Sequence, residues 1–387
     1  MTLLIADQVW DGTAHAAIDS GFVEFDGATV IATGSVADLG SRADDATSLP
    51  RGTTLMPGLI DAHQHLVFDG VGTLEEQVAG IDDNGLTDRC RANAELALRA
   101  GITTIRDLGD RGFVTVGLSE HGHSLPTILP AGPPLTRVGG HCWYLGGECD
   151  GVDALRRAVR DRVERGCKVV KVMTTGGGMT PTFPMWQAQF SDAEVRAIVD
   201  EAHSAGLPVA AHCHGLAGIV QALDAGADTI EHCTFITESG RCEPQDDVMQ
   251  RIAASDVVVS ATVGHLPGFD PPPFVTANLE IMFGTFRTMR ELGATIVGGT
   301  DAGVGPAKPH NVLPTAMEDF AEIGMNNVEA LRALTSVAAK TVGVGDRKGR
   351  LAPGYDADVI AVNGDPTTDA NALGNVTQVW RAGRACL

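Results

Sequence analysis

Positive charge is what this chain is shortest of: 28 lysines and arginines stand against 49 aspartates and glutamates, a formal net charge of -21. Nucleic acids and anionic membranes attract basic surfaces, so neither is expected as a partner. No long apolar run occurs, and Met1-Thr2-Leu3-Leu4-Ile5-Ala6-Asp7 has no basic start. Neither a membrane span nor a signal peptide is therefore expected, and the cytoplasm is the default location. The eight cysteines form no CxxC pair, which in a chain this long points to reduced, mostly buried thiols instead of a disulfide framework. Gly176-Gly177-Gly178 lacks both the GK[ST] ending and the GxGxxG spacing of a phosphate cradle, which leaves a mobile loop beside an active site as its reading.

What is present is a chain of 387 residues with 44% hydrophobic content, enough for a large core. Its middle repeats one punctuation. A helical stretch ends in glycine at Gly101, Gly166, Gly206, Gly226 and Gly293, and a short β-rich apolar run follows each. Glycine supplies the left-handed residue that closes a helix, so helices and strands alternate, as in a parallel sheet with crossover helices. Ser191 to Glu194 and Asn326 to Glu329 read as capping boxes opening further helices. Eight candidate strands lie near 57–65, 102–108, 125–131, 168–174, 208–213, 229–233, 256–262 and 295–301. The expected fold class is α/β, with residues 55–349 forming a (β/α)8 TIM barrel. Residues 1–54 and 350–387 carry alternating runs such as Gly21-Phe22-Val23-Glu24-Phe25 without crossover helices. Neither end can bury a core alone, so the two are expected to form one composite β-sandwich.

Lys171 stands inside the apolar run Val169-Val170-Lys171-Val172-Met173, where an ammonium is costly. Burial favours the neutral, nucleophilic amine, which can capture carbon dioxide as a carbamate and so become a carboxylate on a long arm. Partners for it end other strands. His63 and His65 lie two apart on the first strand and share a face; His212, His232 and Asp301 end the fifth, sixth and eighth. A lone histidine at a strand end is more often a hydrogen-bonding group than a ligand. Six such positions at the working face of a barrel read instead as a two-metal site.

The segments Met56-Pro57-Gly58-Leu59-Ile60-Asp61-Ala62-His63-Gln64-His65 and Leu351-Ala352-Pro353-Gly354-Tyr355-Asp356-Ala357-Asp358 bracket a pattern that resembles the amidohydrolase superfamily of metal-dependent hydrolases. Val170 to Gly178, Val209 to Gly215 and Ile230-Glu231-His232 are similar to its prolidase-like dipeptidase and imidazolonepropionase-related branch. That resemblance implies one metal on His63, His65 and Asp301, a second on His212 and His232, and carbamylated Lys171 bridging them with a hydroxide. Zinc suits such ligands, although manganese, iron or cobalt would be accepted. Asp301 would also move the proton from the attacking hydroxide to the leaving nitrogen. His141 resembles the family histidine that hydrogen-bonds the substrate carbonyl oxygen. Tyr144, Arg137, Lys308 and His310 are weaker candidates for substrate contact. Where the dipeptidases of that branch carry a tyrosine two residues after the fifth-strand histidine, this chain has His214. His214 itself reads as a supporting or loop residue, and His15, His121, His123, His203 and His265 as surface or structural.

The expected activity is cleavage of a C–N bond in an amide, peptide or N-acyl compound of small size. A cyclic amide, ester, lactone or carbamate would suit the same centre. Ring deamination or hydrolysis of an imidazolone resembles the work of one-metal relatives without the bridging lysine, so Lys171 counts against it, and a non-catalytic scaffold would have no use for six ligands. Phe269-Asp270-Pro271-Pro272-Pro273-Phe274 interrupts the seventh unit as part of a lid or as a rigid turn. Relatives of this kind are often homo-oligomers.

Overall fold

The computed structural model describes residues 1–386 apart from 121, 179, 181 and 270, with the backbone alone at 123. The readings on His121 and Asp270 thus lie outside the described residues. Strands β1 (Thr2–Val9), β2 (Ile18–Asp26), β3 (Thr29–Ser35), β4 (Thr47–Ser48) and β5 (Thr53–Pro57) come first. Then follow β6 (Leu59–Gln64), β7 (Ile102–Asp107), β8 (Thr127–Pro130), β9 (Val170–Met173), β10 (Val209–Gly215), β11 (Thr229–Ile236), β12 (Val258–Thr262) and β13 (Thr295–Gly299). The chain closes with β14 (Val359–Asn363), β15 (Val376–Arg381) and β16 (Arg384–Ala385).

The eight middle strands fall on the eight expected runs and pair parallel in chain order, β6 to β8 in one sheet and β9 to β13 in another. Backbone bonds link the two at both edges: Lys168 N–H donates to the Pro130 carbonyl and Asp301 N–H to that of His63. Every residue of β6, β7, β9, β10 and β11 is buried, so their apolar residues continue on both faces and the polar ones among them must find partners inside the protein. The five punctuating glycines all have positive φ, the conformation a side chain resists. Helices Asp192–Ser204 and Asn327–Ala333 open with the expected capping boxes. No helix among the described residues is long and apolar enough to cross a membrane.

The two ends of the chain meet in one continuous eight-stranded sheet of order β16-β15-β14-β5-β1-β2-β3, with β4 on β1, where two facing sheets were expected. Its inner face packs Leu4, Val9, Val23, Phe25, Leu55, Val359 and Trp380 into a core of its own. Asp358 fastens this sheet to the parallel strands. Its carbonyl accepts from Gly58 N–H at 2.9 Å, and its carboxylate takes the Lys348 ammonium at 2.6 Å and Ala382 N–H at 2.8 Å. Lys348 and Asp358 are both buried, so removing either leaves a poorly compensated charge. Asp358→Ala is expected to lower unfolding free energy by roughly 3 kcal/mol, softened by the remaining Asp356 partner, which a fall in the urea midpoint at unchanged m-value would register.

Candidate metal centre

The groups singled out along the sequence converge at the C-terminal ends of the parallel strands. β6 presents His63, with His65 just beyond its end, β9 presents Lys171, β10 presents His212 and His214, and β11 presents Glu231 and His232. Asp301 follows β13 directly. His232 and Asp301 hold φ of 68° and 57°, a left-handed backbone that non-glycine residues adopt at a cost of order 1–3 kcal/mol each.

Each histidine of the cluster has one ring nitrogen anchored by the protein and the other left over. His63 Nδ1 donates to Glu231 Oε2 at 2.8 Å, His65 Nδ1 to the Gly109 carbonyl at 3.2 Å and His212 Nε2 to the Gly176 carbonyl at 3.0 Å. His232 Nδ1 meets the Thr262 hydroxyl at 3.3 Å, and His214 Nδ1 that of Thr234 at 3.0 Å. Anchoring one nitrogen fixes the ring and presents the other as a lone pair, the arrangement found behind metal ligands.

The consequence is sharpest at His63 and His65. In the neutral rings the anchored Nδ1 atoms carry the protons, which makes both Nε2 atoms lone pairs, and these face one another at 3.3 Å. Asp301 Oδ1 lies 3.4 Å from each. Three electron-rich atoms crowded together repel unless a positive charge lies among them. A tetrahedral ion with bonds of roughly 2.0–2.1 Å would space its donors by about 3.3 Å, so the set fits a divalent metal such as zinc. A ring nitrogen of His232 joins His63 and Asp301 within 4.8 Å, and His212, His214 and His232 form a second such group.

Lys171 is 1% exposed and its Nζ has no hydrogen-bond partner among the described residues. Burial depresses its pKa, the charges of Glu231 and Asp301 acting against that shift. An orphaned, desolvated amine among metal-type ligands fits conversion to a carbamate, whose oxygens would be donors. Burial alone would raise the Asp301 carboxyl, but His63, His65 and Lys308 hold it well below the ordinary carboxylate range. Burial would likewise raise Glu231, and Arg106 and His63 outweigh it in the same way. Burial pushes the rings of His63 and His214 down to about 4 and that of His141 to about 3, while His212 and His232 fall well below their usual value.

His141 sits over this cluster, its ring centroid 4.6 Å from that of His212. Thr180 Oγ1 meets its Nδ1 at 2.8 Å, and Gln189 Oε1 accepts its backbone N–H at 2.9 Å. Gln189 Nε2 in turn donates to the carbonyls of Met173 and Thr175, tying the His141 loop to the end of β9. Gly177 packs so closely that a Cβ there would lie 2.3 Å from His141 Nε2, so the triple-glycine segment is a fitted wall in this structure. Tyr144 places its hydroxyl 3.4 Å from Cys142 Sγ, beside His141.

Other candidates have their polar atoms engaged within the protein or face solvent. His310 spends both ring nitrogens internally, on Gln64 Oε1 and the Phe68 carbonyl. Lys308 Nζ donates to the carbonyls of Thr262, Gly264 and Thr300, pinning β12 to β13. Arg137 is exposed, and its charge acts on Glu194. The proline-rich stretch turns into the helix Pro273–Glu291, and Phe274 borders Gly178.

Sequence reasoning passed over Glu231, Arg106 and Gln189. Arg106 Nη2 donates to Glu231 Oε1 at 2.8 Å, and both are buried. Charged residues inside the apolar runs of β7 and β11 are the same signal that drew attention to Lys171. Gln189 and Thr180 lie in a loop and carried no signal.

Residues 54–386 match the model described as Amidohydrolase family. Ochratoxinase of Aspergillus niger is 30% identical, with 92% of this chain and 82% of that protein covered. Imidazolonepropionase of Deinococcus deserti is 28% identical, covering 92% and 91%. A solved structure of a Xaa-Pro dipeptidase with bound methionine in the active site superposes with a TM-score of 0.87 at 26% identity over 99% of both chains.

Unfolded histidines take protons near pH 6.5, while burial keeps the rings of His63, His141, His214 and His310 neutral to about pH 4 or below and pushes those of His212 and His232 well below their usual value. The unfolded state therefore binds more protons in that window, and acid destabilises. Asp61 and Asp107, pushed up by burial to about 6 and about 7, act in the opposite sense but are outnumbered. The melting temperature of chelator-treated protein is accordingly expected to fall as pH drops from about 6.5 toward 4, followed by calorimetry.

Proposed function

From the premise that this chain belongs to the amidohydrolase family and is a hydrolase of C–N bonds, we propose a binuclear metal-dependent hydrolase that cleaves amide, peptide or N-acyl bonds. We read the eight parallel strands as one closed (β/α)8 barrel spanning 55–349, with 1–54 and 350–387 as a composite β domain beside it. The crowding of His63 Nε2, His65 Nε2 and Asp301 Oδ1 carries the reading, because a divalent cation among them would satisfy all three at once.

His63, His65 and Asp301 would hold one ion, His212 and His232 a second, and carbamylated Lys171 would reach both. When bound, two such ions polarise a substrate carbonyl and activate the attacking water. Neutral Lys171 adds carbon dioxide through its lone pair and releases one proton, which leaves an N-carboxylate. The Glu231–His63 bond holds that ring's tautomer, and Arg106 keeps Glu231 ionised. One Asp301 oxygen faces the histidines; the other is free to take the proton from the attacking water and return it to the leaving nitrogen. His141, set by Thr180 and Gln189, would donate through Nε2 to the carbonyl oxygen as negative charge develops there.

Hydrolysis of a cyclic amide is the second reading, which the likeness to imidazolonepropionase along most of the chain favours and the buried Lys171 weighs against. A screen of the zinc-loaded protein against N-acyl amino acids, dipeptides, lactones and cyclic amides separates the two.

Lys171→Ala is expected to lose metal by elemental analysis and most activity, both partly restored by a small carboxylic acid. Full activity without the acid would remove the carbamate from the mechanism. Asp301→Asn is expected to keep the fold by circular dichroism and lose at least roughly a thousandfold in kcat, since a ligand charge and the proton carrier go together.

A further inference from the structure

His214 has no part in the chemistry derived above, yet it is built into the site with care. It lies two residues beyond His212 on β10, 7% exposed, with its ring 4.6 Å from His212 and 4.5 Å from His232. Thr234 fixes its tautomer. The Thr234 hydroxyl lies within reach of the His214 carbonyl, at 3.3 Å, and of His214 Nδ1, at 3.0 Å. A carbonyl only accepts, so the single hydroxyl hydrogen belongs to it, and the hydroxyl oxygen then accepts from Nδ1–H. Nε2 is left as a lone pair.

That lone pair is poorly placed for a shared metal. The His214 and His232 rings stack with planes 18° apart. Lone pairs of imidazoles lie in the ring plane, so two stacked rings cannot both aim at one ion. The Nε2 acceptor is therefore offered beside the metal ligands, where the scissile group of a substrate would lie.

Acceptors able to meet a substrate are otherwise scarce there. His63, His65, His212 and His232 are committed to the cations on the reading above, on which this inference rests, and Asp301 to proton transfer. Cations able to meet a substrate carboxylate are scarcer still, because Arg106 is bound to Glu231 and Lys308 to three carbonyls. We propose that His214 Nε2 accepts a hydrogen bond from the N–H of the scissile amide, which makes the substrate class secondary amides of primary amines. A tertiary amide such as an Xaa-Pro bond has no hydrogen to offer and is disfavoured. The contact would also orient the nitrogen so that its lone pair faces Asp301 for protonation as the C–N bond breaks.

The test crosses residue with substrate. Zinc-loaded wild type, His214→Ala and His214→Phe are compared on N-benzoylphenylalanine and its N-methyl analogue, with N-benzoylphenylalaninamide as a third substrate. Phenylalanine preserves the stack without the acceptor, which separates loss of the bond from loss of packing. Both variants should lose about tenfold in kcat/KM on the N–H amides, as expected for one hydrogen bond, and less than twofold on the N-methyl analogue. Metal content should stay at two ions per chain. Equal losses on the N–H and N-methyl substrates would overturn the proposal. So would loss of an ion in His214→Phe, which would make His214 a ligand. A loss confined to the free acid and absent for its carboxamide would reassign His214 to carboxylate binding. If the zinc-treated wild type retains no metal, the metal-centre reading of the site fails instead, and if it holds metal but cleaves none of the three, the proposed amide substrate class is overturned.

Discussion

Three lone pairs pointed at one another are the constraint around which this molecule is built. With neutral rings, His63 Nε2, His65 Nε2 and Asp301 Oδ1 sit 3.3–3.4 Å apart as three acceptors that a cation among them would satisfy. Everything near them works to keep them in place. Glu231 and the Gly109 carbonyl take the far nitrogens of the two rings, and Arg106 secures Glu231. Asp61 accepts from Thr300 N–H and hydroxyl, joining the end of β6 to that of β13. The charge that would satisfy the centre comes from outside the chain, while the chain supplies the rigidity that keeps the centre from collapsing.

The strained backbone at His232 and Asp301 belongs to the same bargain between stability and geometry. Left-handed residues persist only where surroundings over-determine them. At Asp301 the surroundings are Lys308, which grips three carbonyls of β12, β13 and the turns after them, and the backbone bond to His63. At His141, a left-handed Cys142 follows directly, and Gln189 and Thr180 do the holding. Elements that never touch substrate thus set the angles at which the reactive groups arrive.

The sequence made the strands and their order legible because burial on both faces turns each into an apolar run, and the five glycines mark where helices stop. Lys171 was legible for the opposite reason, as a charge where the run should have been unbroken, and the same logic applied to Arg106 and Glu231 would have exposed the network behind His63. His310 and Lys308 misled because residue type cannot reveal whether a polar group faces substrate or has its donors consumed by neighbouring carbonyls. Gln189 and Thr180 were invisible, since loop residues carry no periodicity. The terminal strands were recognisable by their alternation, but whether they stack as two layers or continue as one sheet depends on register, which the alternation leaves open.

The pairing of β5 with β14 brings residues 53–57 against 359–363, three hundred residues apart in the chain. β5 precedes β14 in the chain, so its edge toward β14 stays unpaired until that distant segment arrives. The stretch that leads directly into His63 and His65 is thus held by a contact of very high sequence separation, and ordering the ligand-bearing face requires that long loop to close first.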